Sequence, residues 1–185
     1  MARNKEIEKI TEKEAFALLQ KYASNKKTYD IVLAHAKKVK QIALGFAKKI
    51  PHVDLNFIAT AALLHDIGRF RYPPGKDSIK HGIAGAKILR KEGLPRHAFV
   101  AERHIGVGIT KQDIMQQKLK LPLQEYVPKT TEEKIVSYAD NLVFGNKKKT
   151  VQHVIKRYRK EVGDYLVPRI LTQHKEIQKL MKSKY

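Results

Sequence analysis

The segment Phe57-Ile-Ala-Thr-Ala-Ala-Leu-Leu-His65-Asp66-Ile67-Gly68-Arg69 runs an almost wholly apolar helix into an imidazole, a carboxylate and a guanidinium. A helix apolar on every side belongs in a core, and an ionised carboxylate taken out of water is costly unless something pairs with it. A metal ion is one such partner. Hydrogen bonds to a buried His or Asp are another, and for either residue alone they are the better reading; adjacency and burial together weaken it. Four further residues share this inward character. His35 falls on the stripe Val32, Ala36, Val39, Ile42, Ala43 and Phe46. His81 sits in the first turn of a helix bearing Ile83, Ala86 and Leu89, where the positive end of the dipole favours the neutral, metal-binding imidazole. His104 lies in the last turn of a short helix, and Asp140 lies among Ile135, Val136, Ala139, Leu142 and Val143. A helical bundle is where such residues meet, each projecting inward from its own helix.

Other histidines have a weaker claim. His97 shares a face with His104 but follows the solvent-prone start Pro95-Arg96; His52 belongs to a loop, and His153 and His174 look peripheral. Cysteine is absent, so structural thiolate zinc, iron–sulfur clusters and disulfides are excluded. Imidazole and carboxylate donors suit one or two divalent ions among Fe, Mn, Ni, Co and Zn, and do not select between them.

The elements that must position these residues are helical throughout. The dominant period is 3.6, without an alternating strand of useful length or an Asn-Gly hairpin signal, so the expected fold class is all-α, a compact helical bundle. Capping boxes at Thr11–Glu14 and Thr130–Glu133 open helices. A helix is expected over 29–49, and another from Ser78 or Asp77 to Gly93 and Pro95. A third runs over 96–105, and the stretch 110–129 reads as a short helix and a loop, part of a lid or a connection. Val151 to Leu166 mark one helix, which Pro168 interrupts before the last. Gly68 and the Pro73-Pro74-Gly75 break leave a loop after the central helix with Arg69, Arg71, Lys76 and Lys80, which are either solvated or positioned to receive phosphate oxygens.

One domain is expected over 1–185, with a motif core at 29–145 and flanking helices at 6–24 and 150–182. No apolar run approaches the roughly 18 residues of a membrane span. No apolar signal segment opens the chain, so a cytoplasmic location is expected. Thirty-eight Lys and Arg against 18 Asp and Glu give a net charge of +20. That excess favours anionic ligands and nonspecific nucleic-acid contact. Scattered lysines also form ordinary solvated faces, and high Lys without Cys fits a heat-adapted source.

The order His35, His65-Asp66, His81, His104, Asp140 resembles the HD-domain superfamily of metal-dependent phosphohydrolases, and His65-Asp66-Ile67-Gly68 with Arg69 matches its most diagnostic stretch. The likeness covers about Tyr29 to Gly145. It implies that His35, His65, Asp66 and Asp140 bind a first metal ion, and that Asp66 bridges to a second held by His81 and His104. The two extra histidines are similar to those of the phosphodiesterase-like and diadenosine-tetraphosphate-hydrolase-like branches. Arg69 stands where many relatives have Lys, and the Gly-Tyr-Pro signature of cyclic-di-guanylate enzymes is replaced by Ile-Gly-Val-Gly after His104.

The activity so implied is hydrolysis of a nucleotide-like phosphate ester by a metal-bound hydroxide, with Asp66 and Arg69 catalytic and Arg69, Arg71, Lys76 and Lys80 holding the substrate. The alternative is a noncatalytic module whose basic surface binds RNA or another polyanion.

Overall fold

Polar side chains at helix starts set the frame of the structure, a computed structural model that describes residues 9–183. The helices are α1 (Glu12–Tyr22), α2 (Lys26–Ala47), α3 (Leu55–Leu64), α4 (His81–Lys91), α5 (Pro95–Arg103), α6 (Lys111–Gln116), α7 (Thr131–Asn141), α8 (Val151–Glu161) and α9 (Val167–Lys182). Thr11, Asn25, Asp54, Thr110, Thr130 and Thr150 each accept an amide N–H three residues on, satisfying a donor the first turn leaves open. The fold is all-α, with one short hairpin. Val143–Phe144 (β1) pairs antiparallel with Lys147–Lys148 (β2) across a turn in which Gly145 takes φ +62°.

Several expectations need correction. The Thr11–Glu14 box closes in both directions, but at Thr130 only half of it forms. The Glu133 carboxylate instead accepts from Lys129 N–H at 2.8 Å and from Arg103 at 3.1 Å, because a buried carboxylate gains more from a guanidinium than from a second amide. Asp77 and Ser78 do not cap α4 with their side chains; Asp77 pairs with Lys80, and the chain enters α4 through a 3-10 turn. α8 stops at Glu161, Gly163 takes φ +115°, and Pro168 starts α9 rather than breaking a helix. Proline in the first turn, here the second residue of α9, loses no intrahelical hydrogen bond. The connection between α5 and α7 is fastened rather than lid-like: Ile109 bridges Tyr126, and Arg169 of α9 holds Asp113 at 2.7 Å. The part of the 6–24 helix before residue 9 lies outside the described residues.

α3 sits in the middle, and every residue from Phe57 to Leu64 is buried. One side of it packs through Phe57, Ile58, Ala61 and Ala62 against α2 and α7, in a cluster to which α8 and α9 also contribute. The other packs through Leu63 and Leu64, with Ile67 just beyond, against α1, α4 and α5. Each large apolar side chain fully buried here contributes about 1.5–3 kcal/mol. That rigid stem ends with His65 and Asp66 in hand, and a 3-10 turn over Ile67–Phe70 follows.

The turn lies directly on α4. A Cβ at Gly68 would fall 1.9 Å from the His81 carbonyl oxygen and 2.6 Å from the Gly85 nitrogen, both backbone atoms that cannot swing aside. Gly82 is pressed against α5 in the same way, its Cβ position 2.9 Å from Ala101 O. Glycine at these positions sets the distance between the His65-Asp66 corner and the helices that bear His81 and His104. Gly68→Ala should therefore lower unfolding free energy by about 3 kcal/mol in urea titrations, and a change near zero would show that the two segments are not locked.

Candidate metal centre

Four imidazoles are built to one plan. His65, His81 and His104 each turn Nδ1 to the carbonyl three residues back, Ala62, Ser78 and Ala101, at 2.8, 2.5 and 2.8 Å. His35, on α2, turns Nδ1 to Gly145 O in the hairpin turn at 2.9 Å. A carbonyl oxygen only accepts, so each Nδ1 holds the proton and donates it. The lone pair of the neutral ring is then on Nε2, and such fixing of a histidine by a backbone carbonyl is how metal-ligating rings are oriented.

All four Nε2 atoms converge on two carboxylates. Asp140 Oδ1 lies 2.8 Å from His35 Nε2 and 3.5 Å from His65 Nε2. Asp66 stands between two groups: its Oδ2 is 3.7 Å from His35 and 3.8 Å from His65, and its Oδ1 is 3.0 Å from His81 and 3.5 Å from His104. The ligand atoms of His35, His65 and Asp140, and separately those of His65, Asp66 and His104, all fall within 4.8 Å of one another.

Two observations show that this donor set fits a cation. His65 Nε2 is buried with no hydrogen-bond partner among the described residues. His81 and His104 bring their Nε2 atoms within 3.0 Å of each other while both Nδ1 protons are committed to carbonyls, so in their neutral forms two lone pairs face one another. Donors at right angles around an ion with bonds of about 2.1 Å lie about 3.0 Å apart.

Without an ion, protons must do the neutralising. Burial pushes the Asp140 carboxyl up, but the hydrogen bond from His35 and the nearby imidazole charge of His35 and His65 outweigh it and hold the group below the carboxylate range. Asp66 is likewise held well below its ordinary value, burial being outweighed by His65, His81 and His104. Burial opposes the charged form of His35, yet the Asp140 carboxylate raises it to about 9. His104 moves down, chiefly through burial.

The structure brings His35, His65, Asp66, His81, His104 and Asp140 together, from five helices and one turn. Arg69 joins them through Asp66, its Nε 3.2 Å from Oδ1. Arg71, Lys76 and Lys80 do not join: the cleft over the cluster is lined by Arg69, Pro73, Pro74 and Gly75 from this loop, and Lys80 is turned to Asp77. His97 is buried rather than solvent-facing, with Nε2 2.9 Å from Thr60 Oγ1 and its ring edge-on to Phe57. His153 is not peripheral, for it lines the cleft; His174 meets the Tyr138 hydroxyl instead.

The main surprise is α8, which forms a wall of the cleft, about 1230 Å³ in volume, with Lys156, Arg157, Tyr158 and Lys160. The Tyr158 hydroxyl, pushed up to about 12 by burial, donates to Asn141 Oδ1 at 3.1 Å. Asn141 Nδ2 in turn holds Gly106 O at 2.7 Å, fixing the backbone that follows His104. The apolar period of α8 marked Tyr158 as inward. Nothing local said that inward meant over the metal ligands.

The HD domain family model matches residues 32–145, more than half of the chain, and the chain belongs to that family. HD-domain proteins are generally metal-dependent phosphohydrolases. An uncharacterized protein of Methanocaldococcus jannaschii is 44% identical over 128 residues, 68% of this chain and 72% of that one. A tRNA (cytidine(56)-2'-O)-methyltransferase of Thermoplasma volcanium is 43% identical over 121 residues, 65% of this chain. Its counterpart in Picrophilus torridus is 40% identical over 124 residues, 66% of this chain. The chain spans only 34% and 35% of these two methyltransferases. Among solved structures, the HD domain of the L. monocytogenes phosphodiesterase PgpH superposes with a TM-score of 0.56 at 18% identity, covering 90% of this chain and 93% of that one. The same domain in complex with cyclic-di-AMP gives 0.54. No helix among the described residues is long and apolar enough to cross a membrane.

Two predictions follow from this geometry. The folded-state pKa of His35, about 9, lies above the reference 6.5, so its stabilising contribution is complete below pH 6.5 and is lost as pH rises through 9. Thermal midpoints in chelator should fall across that window, whereas metal affinity should rise across it, because an ion must displace the His35 proton. Midpoints flat from pH 6.5 to 9 would contradict the His35–Asp140 pairing. Separately, Ala at His81 or His104 should leave about one bound ion where the parent holds two, and His97→Ala should leave both; elemental analysis of the purified variants checks this.

Proposed function

We propose that this protein is a divalent-metal-dependent phosphohydrolase acting on a nucleotide-like phosphate ester. The observation that supports it best is the convergence of four Nε2 atoms, one of them orphaned, on two carboxylates at the floor of an open cleft. His35, His65, Asp66 and Asp140 would hold one ion, and His81 and His104, sharing Asp66, a second. Bound there, such ions lower the pKa of water, align it with the leaving oxygen and neutralise phosphoryl charge. The identity of the metal, among Fe, Mn, Ni, Co and Zn, is open to the same donor set.

The chain's own residues supply the rest. The carbonyls of Ala62, Ser78, Ala101 and Gly145 keep the four rings aimed, so no reorientation precedes reaction. Asp66 stays ionised in its buried position and so would be available as a ligand at neutral pH. Arg69 lines the cleft beside Asp66, where its remaining donors can meet nonbridging phosphate oxygens. The cyclic-di-AMP bound by the PgpH domain supports a phosphodiester of nucleotide type as the ligand class.

A second reading, a noncatalytic module that docks RNA, draws on the +20 charge and on relatives named as tRNA methyltransferases. It gives no reason for an orphaned His65 Nε2. The experiment is a panel of nucleoside monophosphates, cyclic and linear dinucleotides and aryl phosphates, tested with stripped protein and after readdition of each metal. Turnover should return with at least one ion and drop at least 100-fold in Asp66→Ala. No turnover with any pairing would favour the RNA module.

A further inference from the structure

The cleft is larger and more basic than one phosphate ester requires. Its volume of about 1230 Å³ exceeds the range of about 300–1,000 Å³ usual for small-ligand pockets. Part of its wall is α8, outside the segment 32–145 that the family model matches. Lys156 and Lys160 both line it. One turn apart, they are neighbours on one helix face at about 5–6 Å between Cβ atoms, where like charges repel. Among the described residues neither has an ion-pair partner, whereas Arg157 is taken up by Glu161 at 2.8 Å and Arg159 by Asp164 at 2.7 Å. Glu161 also lines the cleft, but this pairing offsets its charge.

Flat surfaces accompany the cations. The Arg157 guanidinium stacks over the Phe144 ring at 4.6 Å, and His153 meets the same ring edge-on at 5.0 Å. Ile31, across the cleft on α2, is 60% exposed and offers an apolar face there. Guanidinium planes and apolar faces beside a row of cations are what unpaired bases and their backbone require.

We infer that α8 makes this cleft a binding groove for a single-stranded oligonucleotide, with Lys156 and Lys160 holding backbone phosphates beyond the one that reaches the metal cluster, and bases lying on Arg157–Phe144 and Ile31. This extends the hydrolytic reading by naming a polymeric substrate. A nucleoside polyphosphate has one base to set against two such surfaces, Arg157–Phe144 and Ile31.

The test is fluorescence anisotropy of a labelled, hydrolysis-resistant phosphorothioate hexauridylate with the full chain, across a salt series. Lys156→Gln/Lys160→Gln is compared with Lys175→Gln/Lys179→Gln, an exposed pair of the same spacing on α9 away from the cleft. The α8 pair should weaken binding at least fivefold and reduce the slope of log K against log salt by about 1.4, two single-strand phosphate contacts at about 0.7 each. The α9 pair should change affinity less than twofold. Should the α8 double variant not fold, Lys156→Gln and Lys160→Gln alone should each lower the slope by about 0.7. Equal losses for the two pairs would overturn the inference, as would a loss for adenosine triphosphate matching that for the hexamer. A hexamer loss confined to α8 in a protein that hydrolyses no ester would support the groove and overturn the hydrolytic reading, so the two claims fail separately.

Discussion

Repulsion inside a buried cluster of electron-rich atoms is the interaction on which this structure turns. Four imidazole lone pairs and two carboxylates are aimed at one small volume, and removing any of them from water costs free energy unless positive charge is supplied. The surrounding fold meets that cost in steps. The buried stem of α3 holds His65 and Asp66, Gly68 and Gly82 let α4 and α5 approach, and backbone carbonyls fix each ring from behind. Protons can neutralise part of the cluster, as the raised His35 shows, but they leave His65 Nε2 without a partner and two Nε2 atoms face to face. Two divalent ions, one at His65 and one between His81 and His104, would answer both.

The C-terminal helices contribute differently. Through Arg169 to Asp113 and the Gly108 carbonyl, α9 anchors the connection that leaves His104. Through Tyr158 and Asn141, α8 anchors Gly106 in the same connection. Ser137 adds bonds to the carbonyls of His104 and Gly106, and Gln173 bonds Ser137 in turn. The backbone around His104 is thus held by Ser137 and Asn141 of α7 and, behind them, by Tyr158, Arg169 and Gln173 from beyond the segment that the family model matches.

How much of this could be read in the sequence depended on distance along the chain. The apolar run from Phe57 into His65-Asp66 signals a buried charged corner by itself, since no solvated segment has that pattern. Periodicity alone turned His35 and Asp140 inward, and the structure places them 2.8 Å apart. Local chemistry failed where a remote partner decided the outcome. Glu133 left its capping role for Arg103, thirty residues away, and His97 was drawn inside by Thr60 although Pro95-Arg96 before it looked solvated. The basic loop after Gly68 looked like the phosphate clamp because it was close in sequence, yet the cleft's unpaired cations came from α8. The short hairpin that presents the Gly145 carbonyl to His35 has strands too brief to leave an alternating pattern.

The central claim is that the four rings are fixed as Nδ1–H tautomers with Nε2 offered to an ion. Imidazole ¹⁵N NMR, recorded on metal-free protein and during titration with diamagnetic Zn²⁺, reads both nitrogens of every histidine directly. The account predicts that His35, His65, His81 and His104 keep a protonated Nδ1 throughout and shift at Nε2 on metal addition, while His52, His97, His153 and His174 stay unchanged. Coordination through Nδ1, or Zn²⁺ binding that leaves those four Nε2 resonances unmoved, would contradict it.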